Sequence, residues 1–327
     1  MRILFLTDDR EDYLADSLFH GLHQLGDIEC VDYPRKDILY NGHPDVPRSS
    51  IRGGGFTLYK LLNESDTITK RHQIWQQLET GLFDAVIISN IWRQWGLLLQ
   101  WRSLLKQQSL ILLDGDDDER HYPTSSSRHR MFGIGTGLKS LLQQPSTRLF
   151  KREWTFRTRF NPNTIIVHET SFSIPEEKIV STIPEKYTMF PRHIVDKEVA
   201  QRIGAITGYA FTHEDDYRQN LAESRFGITL RRGGWDCLRH YEIAAAGAIP
   251  CFRNLLQKPP HCAPHGLKDG ENCIAYEDVD HLLKRLQALT PNQELAMRLK
   301  ALQWAKDNST RERALEILHR AGLRQKT

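Results

Sequence analysis

The sequence predicts an α/β protein of two doubly wound domains, and three observations carry that expectation. The chain opens on Met1–Thr7, an apolar run of strand length, followed by a helical pattern through Leu14, Leu18, Leu22 and Leu25, and by a second strand candidate at Ile28–Val31. A second strand–helix–strand unit lies far downstream, with Phe226–Leu230 and Ala248–Phe252 as its strands. A chain of 327 residues is long enough to build both.

Composition narrows the function classes. Apolar residues make up 39% and charged residues 26%, as in ordinary globular proteins, and a net charge of +3 does not by itself argue for nucleic acid or a membrane surface. No apolar run reaches membrane-spanning length, and the N-terminus enters a strand pattern rather than a signal peptide. Five cysteines (Cys30, Cys237, Cys251, Cys262 and Cys273) form no C-x-x-C pair. An odd set of this kind predicts reduced, mostly buried thiols and a cytoplasmic location.

Taken in order, the first strand ends at Asp8 and Asp9, on the carboxyl edge where open α/β sheets bind ligands. Either carboxylate suits a general base, and either suits a helix cap. No G-x-G-x-x-G follows, which counts against dinucleotide binding. Residues 34–55 read as loop, and Arg52-Gly53-Gly54-Gly55 permits close backbone approach to a ligand or a plain turn. Helical patterns are expected at Thr57–Leu62 and Ile68–Leu78, and a buried strand at Asp84–Ser89 ending in Asn90. The tract Ile91–Lys106 is then expected to pack Trp92, Trp95 and Trp101 from helices.

Ser109–Leu113 is a further strand, running into Asp114-Gly115-Asp116. An apolar strand followed by Asp-x-Asp resembles the metal-binding motif of GT-A glycosyltransferases, where hard carboxylates hold a divalent cation against a diphosphate. Asp116 alone equally suits a base or part of an acceptor pocket. From His121 to about Gln144 a loop containing Gly133-Ile134-Gly135-Thr136-Gly137 leads into a helix near Leu138. The basic tract Arg148–Arg159, with Phe150, Trp154 and Phe156, reads as a solvated helix with one apolar face, or as a contact for nucleic acid or anionic glycan. Thr164–His168 reads as a strand and Pro175–Pro184 as a connection, placing the domain boundary near residue 185.

In the second half, Arg202–Thr207 is a strand candidate and Asp215–Ser224 a helix. After Phe226–Leu230 come two cations and a flexible turn, Arg231-Arg232-Gly233-Gly234. Asp236 is placed to cap a helix running to about Ala246, and Gly247 to stop it. A helix N-terminus beside glycines and arginines favours an anion. Arg239 and Glu242 share one helix face, offering a phosphate ligand and a carboxylate for sugar hydroxyls. His261-Cys262-Ala263-Pro264-His265 lacks a fourth ligand for zinc. Helices are expected at Val279–Leu289 and after capping boxes at Thr290-Pro291-Asn292-Gln293 and Ser309-Thr310-Arg311-Glu312.

The run Tyr241-Glu242-x-x-Ala245-x-Gly247-x-x-Pro250, preceded by Arg239, resembles the donor-binding segment of GT-B glycosyltransferases. The longer run Ser224–Pro250 is most similar to exostosin-type and spore-coat-maturation-type members. The resemblance implies two Rossmann-like domains facing across a cleft: residues 1–185 on the acceptor side, 186–305 on the nucleotide-sugar side, and 306–327 as a closing helix returning to the first domain. It implies a UDP- or GDP-sugar as co-substrate, with no metal or other cofactor required. Arg231, Arg232, Arg239 and the N–H groups around Gly233, Gly234 and Asp236 would hold the diphosphate, Tyr241 belongs to the same donor motif, and Glu242 would bind ribose or sugar hydroxyls. Asp9, Asp8 or Asp116 would activate an acceptor hydroxyl on a glycan, protein, small molecule or nucleic acid. Two other readings stay open: a non-catalytic binder of sugar or nucleotide, and a metal-dependent transferase using Asp114-Gly115-Asp116.

Overall fold

The computed structural model describes residues 1–42, 47–63, 71–119, 141–155, 167–208 and 210–325. The loop expected around Gly133–Gly137, the helix start near Leu138, Phe156–Arg159, the beginning of the 164–168 strand and the first residues of the 68–78 helix lie outside these. The chain divides into two compact units, Met1–Ser171 with Thr310–Thr327, and Phe172–Ser309.

In the first unit six strands form one parallel sheet: β1 (Arg2–Leu6), β2 (Glu29–Tyr33), β3 (Ala85–Ile88), β4 (Leu110–Asp114), β5 (Thr147–Lys151) and β6 (Val167–Glu169), in the order β2-β1-β3-β4-β5-β6. The central strands are unbroken apolar runs because helices cover parallel sheets on both faces. Leu4, Leu6, Val86, Ile88, Leu110, Leu112 and Leu149 fill one face of the sheet together with Trp101 and Leu105. Helices α1 (Tyr13–His23), α2 (Ile74–Glu79), α3 (Trp95–Gln100) and α4 (Arg102–Leu105) accompany this sheet. The order reverses between β1 and β3, which makes their carboxyl ends the topological switch point of the unit.

Three expectations for this unit are corrected. The cap of α1 is Asp12, which accepts from Ala15 N–H, rather than Asp8 or Asp9. Residues 57–62 are irregular, with Thr57 at φ 74° and Lys60 at φ 61°. The basic tract after Arg148 begins as strand β5, not as a solvated helix. Lys151 and Arg152 are 0% and 1% exposed. Lys151 pairs with Asp114 at 2.8 Å, and Arg152 with Glu153 at 2.8 Å and with Asp117. Carboxylates at and just after the end of the neighbouring strand β4 offset the cost of burying these cations, and a reading of charge density cannot see them.

The second unit is built on the parallel strands β7 (Phe226–Leu230), β8 (Ile249–Arg253) and β9 (Ile274–Tyr276), in that order. Helices α5 (Lys197–Ile203), α6 (Glu214–Ala222), α7 (Leu238–Ala245), α8 (Val279–Gln287) and α9 (Pro291–Asp307) surround it. Of the residues expected to form a strand from Arg202, Arg202 and Ile203 end α5, which is capped by Asp196 and stopped by Gly204 at φ 74°, and only Ile206 pairs in a sheet. Parallel bridges extend the sheet beyond β7: Thr188 pairs with Ser224, and His193 with Ile206. Segment 188–193 thus lies between residue 206 and β7, so the chain order reverses here as it does between β1 and β3.

Residues 172–185, expected in the first domain, belong to the second unit. Phe172 N–H donates to Asp236 at 2.8 Å, and Ile174 bridges Ser309. Helix α10 (Thr310–Arg320) belongs to the first unit, where His20 Nδ1 lies 2.9 Å from Thr310 Oγ1. The capping box at Thr290 and Gln293 has both of its hydrogen-bonded arms.

Candidate functional site

The donor-like segment is held by a small number of specific contacts. Gly227 in β7 has no room for a side chain: a Cβ there would sit 2.5 Å from Ile243 Cγ1, so the missing methyl lets α7 press against the strand. Gly247, at φ 67°, ends the helix. Its N–H donates to Ala244 at 3.0 Å, and Ala248 N–H to Ile243 at 3.1 Å, the paired bonds of a Schellman stop. The loop between strand and helix is pinned by His240, which is buried and stacked on Phe252 with ring centroids 4.5 Å apart. Its Nε2 donates to the Trp235 carbonyl at 3.0 Å, which leaves Nδ1 to accept from the Thr229 hydroxyl at 2.8 Å.

On this frame Arg231, Arg232 and Gly233 are exposed, and Gly234 is buried. The Arg231 guanidinium lies 5.0 Å over the Trp235 ring. Arg232 N–H donates to Gly234 carbonyl at 3.1 Å, which tightens the turn. The helix cap is Cys237 rather than Asp236, and its side chain forms no capping hydrogen bond. The first N–H groups of α7 therefore keep the partial positive charge of a helix start. Arg239 is half-buried, and Glu242 accepts from the Tyr217 hydroxyl at 2.5 Å.

Asp236 and Tyr241 lie beneath this surface. Tyr241 is 0% exposed, stacks on Trp304 with centroids 4.8 Å apart, and donates its hydroxyl to Asp236 at 3.0 Å. The other Asp236 oxygen takes the Phe172 N–H. Both side chains are committed to packing and hydrogen bonds inside the unit.

His193, a lone histidine that no sequence pattern marks, belongs to the same region. It is buried at 7% exposure. Burial lowers its basicity, Arg239 and Arg232 lower it further, and a hydrogen bond with the Thr207 backbone acts in the opposite direction.

At the carboxyl edge of the first unit, Asn90 organises a second polar group. Its Nδ2 donates to Asp12 at 2.9 Å and to Asp116 at 3.0 Å, while its Oδ1 accepts the backbone N–H groups of Trp92 and Arg93 at 3.0 and 3.1 Å. Gln94 joins β1 to β3 by donating to the carbonyls of Leu6 and Thr7 and accepting from Ser89 and the Asn90 N–H. Arg93 reaches Asp8 at 3.5 Å and Asp12 at 3.6 Å. Although burial disfavours its charge, Asp12, Asp8 and Asp116 hold the guanidinium firmly protonated. Asp8 and Asp116 thus share this edge, whereas Asp9 is exposed and makes no hydrogen bond or ion pair among the described residues. Asn90 was visible in the sequence only as the residue ending a strand.

The Asp-x-Asp pair is split by its surroundings. Asp114 is 0% exposed and bonded to Lys151 Nζ at 2.8 Å, while Asp116 turns to Asn90. Burial lifts the affinity of Asp114 for a proton and the Lys151 ammonium opposes it. Among the described residues no group of three or more His, Cys, Asp or Glu is arranged to hold a metal ion. No helix among them is long and apolar enough to cross a membrane.

No protein-family model matches the chain, and no curated protein matches it significantly. Solved structures do match over almost its whole length. Anabaena Alr3699/HepE, crystallised with UDP and glucose, superposes with a TM-score of 0.56 at 9% identity, covering 98% of this chain and 99% of that one. Sucrose-phosphate synthase from Thermosynechococcus elongatus gives 0.53 at 11% identity, with 98% of each chain covered. A glycosyltransferase from Rickettsia africae gives 0.52 at 10% identity, with 99% of each covered. At these identities the likeness concerns architecture, and the chain has the α/β fold of the GT-B glycosyltransferases.

Proposed function

We propose that the protein is a glycosyltransferase that binds a nucleoside diphosphate sugar on its second unit and transfers the sugar to an acceptor hydroxyl. The observation that carries this reading is the arrangement around α7. Arg232 and Arg239 flank a helix start whose cap makes no side-chain hydrogen bond, beside Glu242 on the same helix. Cations and backbone N–H groups can neutralise a diphosphate as it leaves, and Glu242 can accept from ribose or sugar hydroxyls. Matching structures crystallised with UDP and with UDP-glucose support the choice of donor class. Within the GT-B fold we place the chain nearest the exostosin-type and spore-coat-maturation-type members, on the run Ser224–Pro250.

The diphosphate is neutralised here by protein groups, without a metal. The burial of Asp114 against Lys151 supports this, because a carboxylate committed to an ammonium inside the sheet is not offered to a cation. Among the three carboxylates first considered for the base, Asp116 fits best. One of its oxygens is oriented by Asn90 and the other carries no hydrogen bond among the described residues, whereas Asp8 holds Arg93 and the Arg10 N–H on Oδ1 and buries its other oxygen. Thermal-shift screening against nucleoside diphosphates and nucleotide-sugars tests the proposal. Stabilisation by a UDP- or GDP-sugar, followed by slow release of the nucleotide, supports it. A protein indifferent to every nucleotide would refute it.

A further inference from the structure

We infer that His193 is a third ligand for the diphosphate, one that takes up a proton as the donor binds. The inference rests on the donor reading above and adds a residue and a pH dependence to that same site.

The argument starts from topology. Segment 188–193 lies beside β7, tied to it by the Thr188–Ser224 bridge, with Phe226 N–H donating to the Met189 carbonyl at 3.0 Å. On its other side, Ile194 N–H donates to Ile206 at 2.9 Å and Ile206 N–H to Arg192 at 3.0 Å. The chain order reverses between this segment and β7, and ligands of open α/β sheets bind at the carboxyl ends of the strands beside such a reversal. Both segments run parallel from the Thr188–Ser224 pairing, so His193, five residues on, lies toward the carboxyl end of its segment, as Leu230 does in β7. The cationic turn Arg231-Arg232 follows immediately. His193 therefore stands at the carboxyl edge on one side of the reversal, and the arginines stand on the other.

The charged groups acting on the imidazole are Arg239, from α7, and Arg232, from the turn after β7; on the side of residues 205–207 it meets the Thr207 backbone. Burial and the two guanidinium groups together keep His193 neutral in the empty protein near neutral pH. A diphosphate diester brings two negative charges into this cluster, offsets the arginines and favours the imidazolium, which then donates to a phosphate oxygen. Binding is thereby linked to proton uptake. A nucleotide-sugar is the informative probe because its diester phosphates do not titrate in this range, whereas the terminal phosphate of a free nucleotide does.

Titration calorimetry of the full chain with UDP-glucose and with GDP-mannose, near pH 7 in buffers of differing ionisation enthalpy, measures the uptake directly. The parent is expected to bind one of the probes with net uptake of up to about one proton, more tightly as the pH falls, by at most about tenfold per pH unit. His193→Gln should bind the same probe about tenfold or more weakly, as for a lost hydrogen bond to a charged group, and without uptake. His193→Asn and the melting temperature of both variants report whether the fold is kept. Binding by the parent without uptake, or equal uptake by folded His193→Gln, overturns the role of His193 and leaves the donor site intact. Failure of the parent to bind either probe, together with no thermal shift from any other nucleotide, removes the donor reading and this inference with it.

Discussion

The Tyr217 hydroxyl donates to Glu242 Oε2 at 2.5 Å, joining α6 to the helix that carries Arg239. A hydrogen bond to a charged acceptor is worth about 1.5–3 kcal/mol, so this contact fixes the rotamer of the carboxylate before any ligand arrives. Tyr217→Phe should lower stability by about 1–2 kcal/mol and weaken nucleotide-sugar binding severalfold. Glu242→Gln keeps the shape but removes the charge, and should weaken the sugar nucleotide more than the bare nucleoside diphosphate. Calorimetry with both ligands checks it, and equal losses for the two would place Glu242 on the nucleotide alone.

The absent side chain of Gly227 sets the distance between β7 and α7. Gly227→Ala drives a methyl against Ile243, whose branching at Cβ leaves it little freedom to move, and should cost about 1–3 kcal/mol. Combining it with Ile243→Ala should cost less than the sum of the two single changes, since one cavity accommodates the other's methyl. Chemical denaturation of the three variants measures the coupling. Additive losses would mean that the close approach is not what Gly227 serves.

Much of this frame was legible from the sequence, for a physical reason. Buried parallel strands such as Leu110–Asp114 and Phe226–Leu230 are continuous apolar runs, and Gly247 and the Thr290–Gln293 box are local signals that need no tertiary context. What escaped was made of long-range pairing. Strand β5 was hidden because Lys151 and Arg152 look solvated until Asp114 and Asp117 are brought beside them. Asn90 showed in the sequence only as a strand end, and His193 not at all, because a single polar residue there carries no pattern and its role follows only from which strands become neighbours. The cap of α7 was misplaced by one residue because Asp236 satisfies Phe172 and Tyr241 instead.

The buried ion pair separates the metal reading from the charge-pair reading of the acidic motif. Asp114→Ala leaves the Lys151 ammonium buried without its carboxylate and should cost about 3–5 kcal/mol. Asp116→Asn, at a partly exposed position, should leave the melting temperature nearly unchanged. It should slow transfer by about a hundred- to ten-thousandfold, as expected for a lost base. Manganese should stabilise neither the parent nor Asp116→Asn. A metal-induced rise in melting temperature that disappears in both aspartate variants would restore the Asp-x-Asp site.

His23 gives the first unit an acid sensitivity. Burial holds its pKa down to about 4 against an ordinary value of 6.5, with Asp32 opposing and His20 adding to the effect. Between these values the unfolded chain binds a proton that the folded chain does not, so stability rises with pH across the window and is lost as pH falls from 6.5 toward 4. The full effect amounts to roughly 3 kcal/mol. His23→Phe keeps the ring that packs on Phe19, 4.5 Å away between centroids, and removes the titration. Its stability should vary less between pH 6.5 and 4 than that of the parent. An unchanged pH profile would assign the acid sensitivity to other groups.

The central claim is that Arg239 and its neighbours hold the diphosphate of a nucleotide-sugar without a metal. Nucleotide-sugar binding measured by calorimetry in the presence of a chelator, for the parent and for Arg239→Ala, addresses it most directly. The parent should bind as tightly with chelator as without it, and Arg239→Ala should bind about ten- to a hundredfold more weakly, as expected for a lost charge-assisted contact. Equal affinity in the parent and Arg239→Ala, or binding abolished by the chelator, would contradict the claim.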